Sequence, residues 1–551
     1  MADNYVIYHL HSDLSNAVTN IDSITKFGEY VEAAKACGMK AMAFSEHGSV
    51  FEWWHKKCAI EEAGMKYIHA IEAYLTESLD EKIRDNYHCV LLARNYEGFL
   101  ELNRVISRSF NRSDNHFYYV PRISFDELFA MSDNILVTTA CVGGVMCRGS
   151  EQAKEKFLAF MSANKNRCFF EIGHHMDEKQ VAYNRELLKL SGECGIPLIA
   201  GTDTHVLNET HEQGRKILQQ SKNIHFDGED NWDLKFHDYD SLVEAYRLQN
   251  SVPENVYLKA IDETNRMAEM VEEFTLDRGT KYPKIYQNPT ETFREKIKAA
   301  EETHPYVRSR YAPEVLDPIV DEEFSVYEKT GSIDFMLLQT YLREWEKKQG
   351  IQCGYGRGSV SGSEIAYILG VTKMDSKRFG LNFFRFLNPS RVTNADIDTD
   401  YAGHDRDRVK EFILRDHLDL PQIKSSEIIT FNTIALKGAV RDVGRAMGMP
   451  LPEVSEICGQ IGLEDEVPES LRKKYPELFK FVEIVNGTIV SIGTHPSGCL
   501  ISDLPIEETV GMCSVSTSPY PVSMINMKEL DDLMYVKFII SIDWFVGNDV
   551  Q

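Results

Sequence analysis

The sequence predicts a multidomain α/β protein, and three observations predict it. Its 551 residues exceed what a single hydrophobic core organises, so about two to four domains are expected. From residue 5 to about residue 206, short strands alternate with helical segments, the pattern of a parallel sheet or a barrel. Beyond residue 350, a glycine-rich loop precedes a run of alternating aspartates.

Composition narrows the class. A hydrophobic share of 43% with 26% charged residues is ordinary for a soluble globular chain. No apolar run reaches the roughly 18 residues of a membrane span. The opening MADNYVIYHLHSDLS lacks a basic stretch followed by an apolar one, so no secretory signal is expected. The 11 cysteines are odd in number and form no CxxC pair, which reads as reduced thiols in a cytoplasmic chain. The net charge of −25 argues against a polyanionic partner, but it is unevenly spread. Residues 351–450 hold 14 Lys plus Arg against 12 Asp plus Glu, and several of those acids are candidate metal ligands.

The strands of the first half read VIYHLH, KAMAFSEH, KYIHAIEAY, HCVLLAR, NILVTTAC, RCFFEIGHH and PLIAGTDTH, with helical segments such as Ser23–Cys37 between them. Their ends carry the chemistry. His9 and His11 end the first, Glu46 and His47 the second, Glu72 the third, Cys141 the fifth, and Asp203 and His205 the last. His88 opens its strand instead of closing it. In a βα-barrel the C-terminal strand ends converge on one mouth. His, carboxylate and Cys are the ligands of Zn²⁺, Mn²⁺ and iron, so a site for two or three metals is expected. His174 and His175 remain open between ligands and core residues, and Cys147, Cys168 and Cys194 read as small buried side chains.

These motifs resemble the PHP (polymerase and histidinol phosphatase) family of metal-dependent phosphoesterases. HLHS (9–12), SEHG (45–48), AIEAY (70–74) with YHCVLLA (87–93), and DTH (203–205) are similar to its four motifs. The resemblance implies a distorted βα-barrel holding a Zn²⁺ or Mn²⁺ cluster on His9, His11, His47, Glu72, His88, Cys141, Asp203 and His205. Asp22 is the best match to a further acid that the family often carries. Phosphoester hydrolysis is then chemically open to the barrel.

The segment from about 260 to 350 reads as mostly helical, with a linker at RGTKYPKIYQNP (278–289) and a helix Phe335–Gln349 stopped by Gly350. The loop CGYGRGSVSGSEIAYILG (353–370) is rich in backbone donors, and Arg357 adds charge. In ADIDTDY, a period of two puts Asp396, Asp398 and Asp400 on one strand face and Ile397 and Thr399 on the other. Carboxylates so placed repel unless cations bridge them, and paired Mg²⁺ ions serve phosphoryl transfer.

GYGRGSVSGS, FFRFLNPSR, ADIDTDY, TFNTIALKGAVRDVGRAMG (430–448) and THPSG (494–498) resemble, in that order, the C-family bacterial replicative DNA polymerases, the alpha subunits of DNA polymerase III. The resemblance implies a polymerase-beta-like nucleotidyltransferase palm with a helical thumb. It assigns catalysis and two Mg²⁺ ions to Asp396 and Asp398. Gly358 and Ser359 would cradle the incoming triphosphate, with Arg357, Arg385, Arg391 and Lys537 near the nucleotide and Lys437 and Arg441 facing DNA. The division implied is a PHP domain over 1–270, a linker over 271–290, palm over 291–425 and 493–538, thumb over 426–492, and a non-family tail over 539–551.

The tail departs from the family, in which a Val-Lys-Phe strand leads directly into a third catalytic Asp. Here VKF (536–538) is followed by Ile539, and the next acid is Asp543. The expectation is the N-terminal part of a split or interrupted polymerase, whose apolar end is an edge awaiting a partner strand. Primer–template DNA, dNTPs, a second polypeptide and replisome components are the expected partners, with no membrane. The alternative is a PHP phosphoesterase or 3′–5′ exonuclease with an inactive palm.

Overall fold

A computed structural model describes residues 4–80, 82–226, 232–390, 397–462 and 465–542. The chain divides into two compact units, one of Met1–Thr275, Thr430–Gly493 and Val510–Cys513, the other of Leu276–Ile429, Thr494–Thr509 and Ser514–Gln551.

The first unit is built on strands β1 (Ala41–Phe44), β2 (Lys66–Thr76), β3 (Tyr87–Ala93), β4 (Phe117–Tyr118), β5 (Val120–Ser124), β6 (Ile135–Thr138), β7 (Cys168–Ile172) and β8 (Leu198–Ala200). β1 pairs with β2, β6 with β7, and β7 with β8, all in parallel, but β3 runs antiparallel to both β2 and β6. The first predicted strand is present only as single bridges, Ile7 to Met42 and Leu10 to Thr204. Those bridges close the ring. The His11 amide donates to the Thr204 carbonyl at 2.8 Å, and the Ala43 amide donates to that of Ile7 at 3.0 Å. The result is a distorted βα-barrel with one reversed strand. The β4–β5 hairpin is not foreseen by sequence pattern, because Pro121 breaks the strand signal; β5 lies parallel to β2.

Burial explains the barrel strands. β2 is buried along all but its first residue, so its β-branched and aromatic side chains fill both faces. The helix Tyr96–Ser109 is capped by Asn95, whose side chain accepts from the Gly98 amide, and buries Phe99, Leu102 and Ile106 on one stripe. The predicted helix Ser23–Cys37 is shorter, Phe27–Ala36. Ser23 Oγ donates to the His205 carbonyl at 2.6 Å and Thr25 Oγ1 lies 2.8 Å from His211 Nδ1, which holds the entry residues outside the helix. Cys168 is buried as expected, while Cys147 and Cys194 are half-buried.

Thr430–Gly493 packs within this same unit. Its helices Leu436–Ala446 and Pro476–Val485 bury Leu436, Val440, Val443, Phe481 and Val482 in one core with Ile21, Ile24 and Leu218.

The second unit contains the helices Pro289–Thr303, Pro313–Lys329 and Ile333–Lys348 and a sheet built on β9 (Asp398–Tyr401), β10 (Lys424–Thr433), β11 (Ile489–Ser502), β13 (Val522–Asn526) and β14 (Val536–Ile542); β12 (Met512–Cys513) belongs to the first unit. The strand order is β13-β10-β11-β14-β9. Val536, Phe538 and Ile540 enter a core with Ile397, Tyr401, Phe412 and Leu338. Within the expected linker, Tyr282 is buried and stacks on Phe335 at 5.2 Å, and the Lys281 amide donates to the Met534 carbonyl at 3.0 Å.

The expectation that the apolar end is an open edge is overturned. β14 is an interior strand, antiparallel to β11 on one side and parallel to β9 on the other. Ile539–Ile542 find their partner inside the chain, in Asp398–Tyr401. Asp543 lies outside the described residues. Among the described residues, no helix is long and apolar enough to cross a membrane.

Candidate functional site

The barrel brings together all nine side chains that the sequence marks as ligands. β3 explains His88: running antiparallel, it begins where its neighbours end, so its first residues reach the same mouth. Ala140 and Asp203 adopt left-handed backbone angles, φ 54° and 45°, where the chain turns out of the barrel. Such non-glycine geometry costs on the order of 1–3 kcal/mol and is typical of functional sites.

Glu72 is the hub. Its Oε1 lies 2.8 Å from His88 Nδ1 and 3.2 Å from His9 Nε2, and its Oε2 lies 2.9 Å from His47 Nδ1. Asp203 Oδ1 lies 3.2 Å from His9 Nε2 and 3.1 Å from His205 Nε2. Asp22 joins through Oδ2, 2.9 Å from His205 Nδ1. Cys141 Sγ stands 3.6 Å from His88 Nδ1. The His11 ring stacks between those of His47 and His205 at 4.3 and 4.4 Å.

Among the described residues, four buried atoms of this cluster, His9 Nε2, His11 Nε2, His47 Nδ1 and Glu72 Oε2, make no aligned hydrogen bond despite the short distances to their neighbours. Buried polar atoms are normally paired, so orphans concentrated at one point are what metal ligands look like without their ion. The donor atoms fall into three overlapping sets, His11, Asp22, His47 and His205; His9, His11, Glu72 and Asp203; and His47, Glu72 and His88, each spanning no more than 4.8 Å. The mixture of imidazole, carboxylate and thiol fits Zn²⁺ or Mn²⁺.

Charge is balanced around the same atoms. Burial opposes ionisation of Glu72, Asp203 and Asp22, but the surrounding histidines hold all three carboxylates well below their usual range. Against the same desolvation, Asp22 and Asp203 raise His205 to about 9. Burial, with His47 and His205 beside it, lowers His11 to about 4.

Sequence reasoning missed Glu171. It is buried in β7, and its Oε1 lies 2.5 Å from His9 Nδ1 while its Oε2 accepts from Thr138 Oγ1 at 2.7 Å and Tyr8 OH at 3.0 Å. It therefore turns the other His9 nitrogen toward Glu72 and Asp203, the carboxylate support usual for metal-bound histidine. A lone Glu inside the apolar strand CFFEI was the available signal. Gly201 makes the room, since a Cβ there would lie 2.1 Å from Glu171 Oε1. Glu46, a strand-end acid, stands outside the cluster. It accepts from Ser12 Oγ at 2.5 Å, Ser15 Oγ at 2.6 Å and the buried Lys56 ammonium at 2.6 Å.

In the second unit, the glycine loop and the acidic strand lie side by side. Cys353 and Arg357 bridge antiparallel to Tyr401 and Asp398, and the Gly354 amide donates to the Asp400 carbonyl at 2.8 Å. The predicted alternation holds: Asp398 and Asp400 are half-buried, while Ile397, Thr399 and Tyr401 are buried. Arg357 Nη1 is 3.2 Å from Asp400 Oδ1, and Arg357 Nε is 4.0 Å from Asp398 Oδ2. Gly358 and Ser359 are exposed and open the 3₁₀ turn Gly358–Gly362, with Gly358 at φ +77°. The next helix, Glu364–Ile368, is held by Glu323, whose carboxylate accepts the Glu364 and Ile365 amides at 2.8 and 3.0 Å. Arg385 is exposed at the end of the turn Phe383–Arg385. Lys537 is buried, and its ammonium is held by Asp531. Asp396 and Arg391 lie outside the described residues. In the first unit, Lys437 and Arg441 follow one another on the outer face of the helix Leu436–Ala446, Arg441 exposed and Lys437 half-buried.

Comparison with known proteins joins the two halves. The PHP domain family matches residues 8–175, and the family described as the bacterial DNA polymerase III alpha NTPase domain matches residues 291–540. The DNA polymerase III subunit alpha of Borreliella burgdorferi is 28% identical over 538 residues, covering 92% of this chain and 45% of that protein. That of Aquifex aeolicus is 27% identical over 578 residues, covering 93% and 49%. Along most of its length the chain is similar to bacterial DNA polymerase III alpha subunits. It spans about half the length of the curated relatives it matches. The polymerase III alpha match ends at Ile540, inside β14, so it includes Ile539.

Proposed function

We propose that this chain carries the PHP barrel and much of the palm of a replicative DNA polymerase, and that its function is template-directed DNA synthesis from dNTPs on a primer–template. The observation that carries this reading is the pairing of the loop Cys353–Arg357 with the acidic strand Asp398–Tyr401. It sets the glycine loop and Arg357 beside the carboxylates of Asp398 and Asp400, the combination that phosphoryl transfer needs. Asp398 would hold Mg²⁺ together with Asp396, and the ions would supply charge neutralisation at the reacting phosphate. Gly358, Ser359 and Arg385 would receive the triphosphate. Arg357, paired with Asp400 here, would turn to it. Lys437 and Arg441 would meet DNA phosphates.

Ile539 bears on autonomy. It stands next to Asp398 with no ligating atom, so a third carboxylate would come from elsewhere. The barrel supports its own reading, a metal-dependent phosphoesterase or 3′–5′ exonuclease with two or three Zn²⁺ or Mn²⁺ ions, because its ligand atoms fall into three overlapping sets. The test is extension and 3′-end degradation of a labelled primer–template by the chain, beside Asp398→Ala and His11→Ala. Extension abolished by Asp398→Ala supports the palm. Degradation abolished by His11→Ala, without extension, leaves the barrel as the only active site of this chain.

A further inference from the structure

A second cluster of potential ligands lies beyond the end of β7, and none of its residues belongs to the nine. His174 is 1% exposed, yet among the described residues neither of its ring nitrogens has a hydrogen-bond partner. His237 is also buried; its Nε2 lies 3.1 Å from Asp233 Oδ2, and its Nδ1 is unpartnered. The His174 and His237 rings meet edge-on at 4.7 Å. One ligating atom from each of His174, Asp233 and His237 lies within 4.8 Å of the other two.

A buried imidazole with both nitrogens unsatisfied bears the full desolvation cost of two polar atoms, so the arrangement calls for an occupant. We propose that His174, Asp233 and His237 hold a single dication of the Zn²⁺ class, separate from the nine-residue cluster. Two imidazoles and one carboxylate are a ligand set of that metal and leave one tetrahedral position open. The neighbouring His175 ring stacks on Trp232 at 5.4 Å.

The position gives the ion a consequence. The segment 233–237 is bonded to the strand end that carries His205: the His205 amide donates to the Leu234 carbonyl at 2.9 Å, and the Phe236 amide to that of Val206 at 2.9 Å. An ion on Asp233 and His237 would tie this segment to the end of β7 and so brace His205.

The test is metal content of the full chain. Zn²⁺ per chain, measured by plasma emission after gel filtration in Zn²⁺-buffered solution, is expected to fall by about one ion in the double variant His174→Gln/His237→Gln. An unchanged content in that double variant overturns the site. Anomalous diffraction at the zinc edge from wild-type crystals decides it without any variant. A peak at about 2.0–2.2 Å from ligating atoms of all three residues is expected. Peaks at the nine-residue cluster with none at His174 refute the proposal.

Discussion

Ile539 sits opposite Asp398 in the parallel register of β14 and β9, so an apolar side chain occupies the strand position next to the first described palm acid. Paired residues of neighbouring strands share a face. Whatever binds Asp398 therefore meets a branched alkyl group where a third carboxylate would otherwise converge.

This relationship predicts a gain of function. Ile539 is only half-buried, so Ile539→Asp should fold at a cost of about 1–2 kcal/mol. Its Mn²⁺ affinity, measured by titration calorimetry, should exceed that of wild type at least tenfold, and the gain should vanish in Ile539→Asp/Asp398→Ala. Unchanged affinity in the single variant would mean that the two positions do not share an ion.

Glu171 predicts a loss in the barrel. Replacing it by Gln keeps the shape but removes the charge behind His9 Nδ1. Supporting carboxylates of this kind are worth roughly 10–100-fold in metal affinity. Competition with a chromogenic chelator should show that weakening in Glu171→Gln, while Glu46→Gln, which lies outside the cluster, should leave the affinity within a few-fold of wild type.

Glu323 predicts a pH dependence. Burial raises its carboxyl to about 7, despite the two backbone amides and Ser363 Oγ that donate to it. A raised folded-state value means that the native chain binds the extra proton between the unfolded value near 4.5 and about 7. This contribution is fully present below about pH 4.5 and is lost as pH rises through 7. Urea unfolding at a series of pH values should show Glu323→Gln gaining on wild type across that window, by up to about 3 kcal/mol. A constant difference between the two would place the carboxyl at its ordinary value.

Gly356 predicts a steric limit in the palm loop. It adopts φ +120°, and a Cβ there would lie 2.2 Å from Thr372 Oγ1. Gly356→Ala should destabilise the second unit by on the order of 1–3 kcal/mol. The partner change Thr372→Ala should relieve the clash but not the backbone strain. Full recovery of the melting temperature in Gly356→Ala/Thr372→Ala would show that only contact mattered.

Much of the site was legible because its ligands are local signals. His9 with His11, Glu46 with His47, and Asp203 with His205 mark strand ends by spacing alone, and the structure brings every nominated barrel ligand to one cluster. The alternation Ile397–Asp398–Thr399–Asp400 likewise needs only a period of two. What the linear pattern could not contain was pairing. The reversal of β3 explains why His88 opens its strand; the hydrogen bond from His9 to Glu171 spans 162 residues. The interior place of β14, mistaken for an open edge, depends on β9 and β11, which lie far away in the chain. By itself, then, the sequence determined which residue types could bind metal and phosphate and which strand faces carried them. Only the tertiary structure decided which of them meet, because register, strand direction and burial arise from contacts between segments that sequence spacing does not encode.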